Sequence, residues 1–223
     1  MSIASNLNDI KSSLPPHVTL VAVSKTKPVA DLMEAYNAGQ RIFGENKIQE
    51  MTEKWEQMPR DIQWHMIGHV QTNKVKYMAP YVSLIHGVDS LKLLTEINRQ
   101  AARYRKTINC LLQVHIAEEE TKFGMDEAEL TTVLTSDEFK QMQNICVTGL
   151  MGMATFTEDE TQIKKEFTHL KNIFDKLKQS ELSEKTLNFK PETLSMGMSG
   201  DYKIAIACGS TMVRIGSSIF GSR

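Results

Sequence analysis

Three cysteines in 223 residues, Cys110, Cys146 and Cys208, are too few and too widely spaced for a disulfide framework or a zinc site. Two of them stand inside apolar runs, Cys110-Leu111-Leu112 and Ile145-Cys146-Val147, where buried reduced thiols belong. Neither sign of charge is in excess, because 26 lysines and arginines face 27 acidic residues for a formal net charge of -1. That balance removes the broad basic surface with which proteins hold nucleic acid or anionic membrane. No stretch approaches the roughly 18 apolar residues that span a bilayer. Residues 1–14 carry Asn6, Asn8, Asp9 and Lys11 among their apolar positions, which makes an amphipathic helix and not a secretory leader. The expectation is a cytoplasmic chain without membrane or nucleic-acid partners.

What is present is alternation. Short β-type runs fall at residues 20–24, 41–44, 62–67, 82–86, 110–116, 145–151, 193–196 and 212–215. Helical stripes lie between them: Val29, Leu32, Met33 and Tyr36, opened by Pro28 and stopped by Gly39; Ile48, Met51, Trp55 and Met58; Leu91, Leu94, Ile97 and Ala101; and Ile163, Phe167, Leu170, Phe174 and Leu177. Strand then helix, repeated, predicts parallel pairing. No Gly-x-Gly-x-x-Gly turn follows the first run, so the fold class expected is α/β, a single (β/α)8 TIM-type barrel over residues 1–223. Little sequence follows the last run, and the extra N-terminal helix is expected to fill the place of the eighth outer helix. Residues 179–191, rich in Lys, Glu and Ser, read as an exposed loop.

Chemistry in such barrels gathers where the strands end at their carboxyl side. Lys25 ends the run Leu20-Val21-Ala22-Val23, so its amine projects into the mouth, where desolvation frees it as a nucleophile able to form a Schiff base. A solvated lysine opening a loop is the plainer alternative. Asn46, in Phe43-Gly44-Glu45-Asn46, offers a donor and an acceptor to a ring substituent, or caps the next helix. His65 and His69 are four apart, but on a strand and its loop this is not the spacing of a metal pair. Gln71, Asn73 and Lys74 read as mouth lining and a helix cap. Two Gly/Ser loops come next: Ser199 and Gly200 after the seventh run, Gly216 and Ser217 after the eighth, with Arg214 between them. Side by side they suit a phosphate, held by backbone N–H groups, hydroxyls and a guanidinium; tight turns with a cap at Ser199 are the alternative. An imine-forming lysine opposite a phosphate cradle fits pyridoxal 5′-phosphate (PLP), and equally a sugar phosphate held by an aldolase-type lysine.

These segments resemble the PLP homeostasis proteins, themselves similar to the N-terminal barrel of alanine racemase. The likeness runs through Ala22-Val23-Ser24-Lys25-Thr26-Lys27-Pro28, Phe43-Gly44-Glu45-Asn46, Trp64-His65-Met66-Ile67-Gly68, Gln71-Thr72-Asn73-Lys74, Leu194-Ser195-Met196-Gly197-Met198-Ser199 and Val213-Arg214-Ile215-Gly216. It implies that Lys25 carries PLP, that Ser199, Gly200, Arg214, Gly216 and Ser217 surround its phosphate, and that Asn46 faces the ring. Lys47 and His115 depart from the family pattern, at the positions of an aromatic after Gly-Glu-Asn and of an asparagine after Gln-Val. Racemisation needs proton removal on one face and delivery on the other, and the chain has no residues left for the second domain that alanine racemase uses. The expectation is a monomeric PLP holder without robust turnover, with apo PLP-dependent enzymes as recipients. A weak amino-acid racemase and a sugar-phosphate lyase are the competing readings.

Overall fold

The computed structural model describes residues 2–119 and 123–221; Met1, at the head of the expected helix, and Ser222 and Arg223, in the expected tail, lie outside them. Eight parallel strands close in sequence order: β1 (Thr19–Val23), β2 (Ile42–Glu45), β3 (Gln63–Met66), β4 (Val82–Val88), β5 (Ile108–Gln113), β6 (Ile145–Met151), β7 (Phe189–Met198) and β8 (Met212–Ile215). β8 returns to β1, with Val21 opposite Arg214 and Ala22 opposite Ile215. The barrel expected from the sequence is the barrel observed, with strand ends shifted. β5, for example, stops at Gln113, because Val114 makes only an isolated bridge to Met125.

Strand alternation divides the core into two layers. Val21, Leu84, Leu111, Met151 and Met212 fill the barrel interior. Leu20, Ala22, Phe43 and Trp64 take the opposite side and pack in the larger core beneath the helices. Each fully buried large side chain there, Trp64 and Phe43 among them, contributes on the order of 1.5–3 kcal/mol.

The helices in chain order are α1 (Ile3–Ser13), α2 (Val29–Asn37), α3 (Ile48–Gln57), α4 (Val75–Met78), α5 (Leu91–Arg103), α6 (Glu127–Thr135), α7 (Asp137–Lys140), α8 (Glu160–Lys178), α9 (Glu181–Lys185), α10 (Tyr202–Ala207) and α11 (Ser217–Phe220). α2 begins after Pro28 and is left through Gly39 at φ 90°. α8 buries Ile163, Phe167, Leu170 and Phe174, the stripe read from the sequence. α11 is the short eighth outer helix, and α1 lies on it, with Asn6 Nδ2 donating to Ile219 O at 3.1 Å.

Two expectations need correction. Residues 179–191 are not one exposed loop: α9 occupies part of them and β7 begins at Phe189. Phe189 and Pro191 are buried, and Asn188 Nδ2 anchors the segment by donating to Phe139 O and Met142 O at 2.7 and 3.1 Å. A high density of charged residues hid apolar positions that point inward. Cys110 is buried as expected, but Cys146 is half-buried, as is Cys208. Among the described residues no helix is long and apolar enough to cross a membrane, and no group of three or more His, Cys, Asp or Glu is placed to hold a metal.

Candidate functional site

Val21 points into the barrel, so Val23 and Lys25 share its side and Ser24 takes the other. The result is a cleft of about 580 Å³ at the carboxyl ends of the strands, into which Lys25 projects. The same cleft gathers Asn46, Ser199, Gly200, Arg214, Gly216 and Ser217. The structure therefore brings together residues that are up to 192 positions apart in the chain, from Lys25 to Ser217. From the third run only Ile67, Gly68 and His69 reach the cleft; Thr72–Lys74 forms a 3-10 turn beyond it, away from the lining role read for that run.

Across from Lys25 the loops after β7 and β8 touch. Gly216 N donates to Ser199 Oγ at 3.2 Å. Gly197 sits at φ 96°, and a Cβ there would lie 2.6 Å from Ala205 Cβ, so only glycine lets β7 turn this tightly over α10. A Cβ on Gly216 would come within 3.0 Å of Val23 O, so this loop packs directly on β1. A Cβ on Gly200 would meet nothing within 4 Å. That loop borders open space beside the Ser199 hydroxyl at the edge of the cleft, which leaves room there for a ligand group.

The capping alternatives are not realised. Lys47, not Asn46, stands at the N-cap of α3, and Asp201, not Ser199, stands at the N-cap of α10. Asp201 instead braces its own turn, accepting from Met198 N at 2.6 Å.

Arg214 lies lower than the loop residues and is 4% exposed. Its Nη1 donates to Ser195 Oγ at 2.7 Å and its Nη2 to Gly152 O at 3.2 Å. Burial pulls its pKa down to about 10, partly offset by Asp201, so it stays charged at neutral pH. Ser195 Oγ continues to His86 Nδ1 at 3.0 Å, and His86 Nε2 to His65 Nδ1 at 3.1 Å. Burial holds both imidazoles neutral, His65 down to about 3 and His86 well below its ordinary value. This chain through the barrel interior was not visible in the sequence, since its members come from four strands. His69 has a separate place at the rim, stacked on Phe123 with 4.2 Å between ring centroids and 3.3 Å from Asp89 Oδ2.

The turn that carries Lys25 is built unusually. Lys27 N donates to Ser24 O at 3.1 Å, and Thr26 lies at φ 66°, a region that costs a β-branched residue roughly 1–2 kcal/mol. Behind it, outside the barrel wall, Lys54 from α3 is 5% exposed and bonds both Glu45 and Glu50 at 2.7 Å. Glu45 also accepts from Ser24 Oγ at 2.6 Å. Burial pushes the Glu45 carboxyl up, and Lys54 and Ser24 pull it partly back. The sequence reading missed this cluster, because Glu50 and Lys54 look like an ordinary i,i+4 pair on a solvated helix face.

The alanine racemase N-terminal domain family matches residues 1–223. The chain is 42% identical over 212 residues to a pyridoxal phosphate homeostasis protein of Pasteurella multocida, covering 92% of this chain and 87% of that one. It is 40% identical over 210 residues to a protein of the same name from Schizosaccharomyces pombe, covering 93% and 85%. PipY of Synechococcus elongatus PCC7942, solved with PLP bound, superposes with a TM-score of 0.87 at 34% identity, over 99% of this chain and 100% of PipY. Alanine racemase of Clostridium difficile 630 shares the fold, with a TM-score of 0.81 at 16% identity, and the chain spans 57% of its length.

Proposed function

Because the chain belongs to the alanine racemase N-terminal domain family, we propose that its barrel mouth binds PLP through an imine on Lys25 and that it serves PLP homeostasis. The observation that carries this reading is the single cleft joining Lys25 to the loops of β7 and β8. An amine at one end and open space beside two Gly/Ser loops at the other suit the aldehyde and phosphate of PLP. In this reading Ser199, Gly200, Gly216 and Ser217 hold the phosphate, Arg214 supplies a fixed positive charge from the floor, and Asn46 faces the ring.

Bound PLP withdraws electrons from an amino acid joined to it, which becomes turnover only where a proton acceptor and a donor flank the reacting carbon. Other titratable side chains lining the cleft have structural duties: Lys27 Nζ donates to Phe220 O at 2.9 Å, His69 is stacked and paired, and Asp201 braces a turn. This supports a holder that releases its cofactor through a reversible bond over a robust catalyst. The full reading is a single-domain, monomeric, cytoplasmic protein over residues 1–223 that passes PLP to apo-enzymes.

The test is the near-visible absorbance of the protein with PLP, followed by borohydride reduction and peptide mapping, for wild type and Lys25→Ala. An imine band and a reduced adduct on Lys25, both lost in the variant, are expected. Equal labelling of both proteins would sink the assignment. A Lys25-dependent loss of α-deuterium from an amino acid would turn the protein into a racemase. Trapping of a phosphorylated sugar on Lys25 in PLP-free protein would favour the lyase.

A further inference from the structure

One buried ion cluster grips the chain on both sides of Lys25. Lys54 Nζ donates at 2.8 Å to Ser24 O, the carbonyl of the peptide unit that precedes Lys25. It also donates at 2.7 Å to Glu50 Oε1, and that oxygen accepts at 2.6 Å from Thr26 N, the N–H of the peptide unit that follows Lys25. Glu45 Oε1 completes the cluster through Lys54 Nζ at 2.7 Å and Ser24 Oγ at 2.6 Å. Glu45, Glu50 and Lys54 lie behind the strand, and none of them lines the cleft.

We propose that Glu50 and Lys54 are positioning residues for Lys25, holding its two flanking peptide units, and with them the left-handed Thr26, in the shape that presents the amine to the cleft. The inference rests on the PLP reading above and deepens it. Three observations converge on it. Thr26 at φ 66° is a conformation a threonine leaves when nothing holds it, and its N–H is held by Glu50 from α3. Lys54, a residue type almost never buried without partners, is buried here with its ammonium on the backbone of the functional turn and not on bulk water. Every bond of the cluster has a charged donor or acceptor, the Lys54 ammonium or a carboxylate of Glu45 or Glu50, so its bonds are charge-assisted and stiff.

The experiment uses the full chain and PLP as probe, reading the affinity and formation rate of the imine band together with amide hydrogen exchange at Thr26 in PLP-free protein. Glu50 is partly exposed, so its variants fold; Lys54→Met would strand the buried Glu45 and is not the deciding variant. Glu50→Ala removes both bonds its carboxylate accepts, from Thr26 N and Lys54 Nζ, and is expected to weaken PLP capture about tenfold and to speed Thr26 exchange by about as much, with the folded state retained in circular dichroism. Glu50→Gln, whose amide oxygen accepts both bonds, stays near wild type. Adding Thr26→Gly to Glu50→Ala restores most of the capture, because glycine takes a positive φ without being held. A merely structural role would not give that rescue. The proposal falls if Glu50→Ala captures PLP as wild type does, or if Thr26→Gly fails to restore it. Wild type without any imine band, alongside faster Thr26 exchange in Glu50→Ala, would overturn the PLP reading while leaving the clamp on the turn in place.

Discussion

Lys25 enters the cleft on a turn braced from behind by the charges of the buried Glu45 and Lys54 and the part-exposed Glu50, whereas the loops facing it across the cleft are shaped by glycine and joined by the neutral bond from Gly216 N to Ser199 Oγ. Beneath those loops the support is again neutral below Arg214, a chain through Ser195, His86 and His65. One end of the cleft is thus fixed by a cluster of opposite charges, and the other by packing and by bonds in which Asp201 and Arg214 each meet neutral groups. The first is sensitive to the removal of a charge, the second to added volume or an added proton.

Acid should separate the two ends most strongly. The folded pKa of His65 is about 3, against an ordinary value of 6.5. An unfolded chain therefore takes up the proton first, and the stability His65 contributes is whole above about pH 6.5 and lost as pH falls toward 3. The expected loss is about 1.4 kcal/mol per pH unit, on the order of 4 kcal/mol by pH 3.5, with His86 acting in the same direction. Glu45 runs the other way: its raised pKa means stability that is kept at low pH and lost as pH rises through the folded value. Urea midpoints from pH 7 to 3.5 should show the net acid loss, and His65→Gln should flatten the curve by one proton. An unchanged slope in the variant would place the acid sensitivity elsewhere.

Volume should act on the glycine end. Gly197→Ala places a methyl group 2.6 Å from Ala205 Cβ at a positive φ, and a loss of about 2–4 kcal/mol in thermal or denaturant unfolding is expected. Gly200→Ala gives the smallest effect and the sharpest contrast. Its methyl group enters open space, so the melting temperature should hold, while PLP affinity should fall about tenfold, or 1.4 kcal/mol, as the anion void fills. Unaltered PLP binding in that variant would remove Gly200 from the phosphate site.

The barrel was legible in the sequence because short β-type runs and stops such as Gly39 are local signals, and the apolar run Leu20-Val21-Ala22-Val23 already aims Lys25 inward. The start of β7 was hidden because Lys, Glu and Ser around it mask a buried Phe189. The seven candidate site residues were read from strand ends and loops, but the residues that support them in the structure were not. Lys54 looks like any helix-surface lysine until α3 is laid against β2, and His86 carries no motif of its own. Such residues acquire meaning only through partners distant in the chain, as His86 does from Ser195, 109 positions away.

Closure of β8 on β1, with α11 lying against α1, also has a consequence for biosynthesis. The strand bearing Lys25 leaves the ribosome before Arg214, Gly216 and Ser217, which follow it by 189 to 192 positions. On the proposed function, a nascent chain displays its imine-forming lysine well before it can grip a phosphate. Selective capture of the cofactor would then wait until synthesis has delivered β8 and α11.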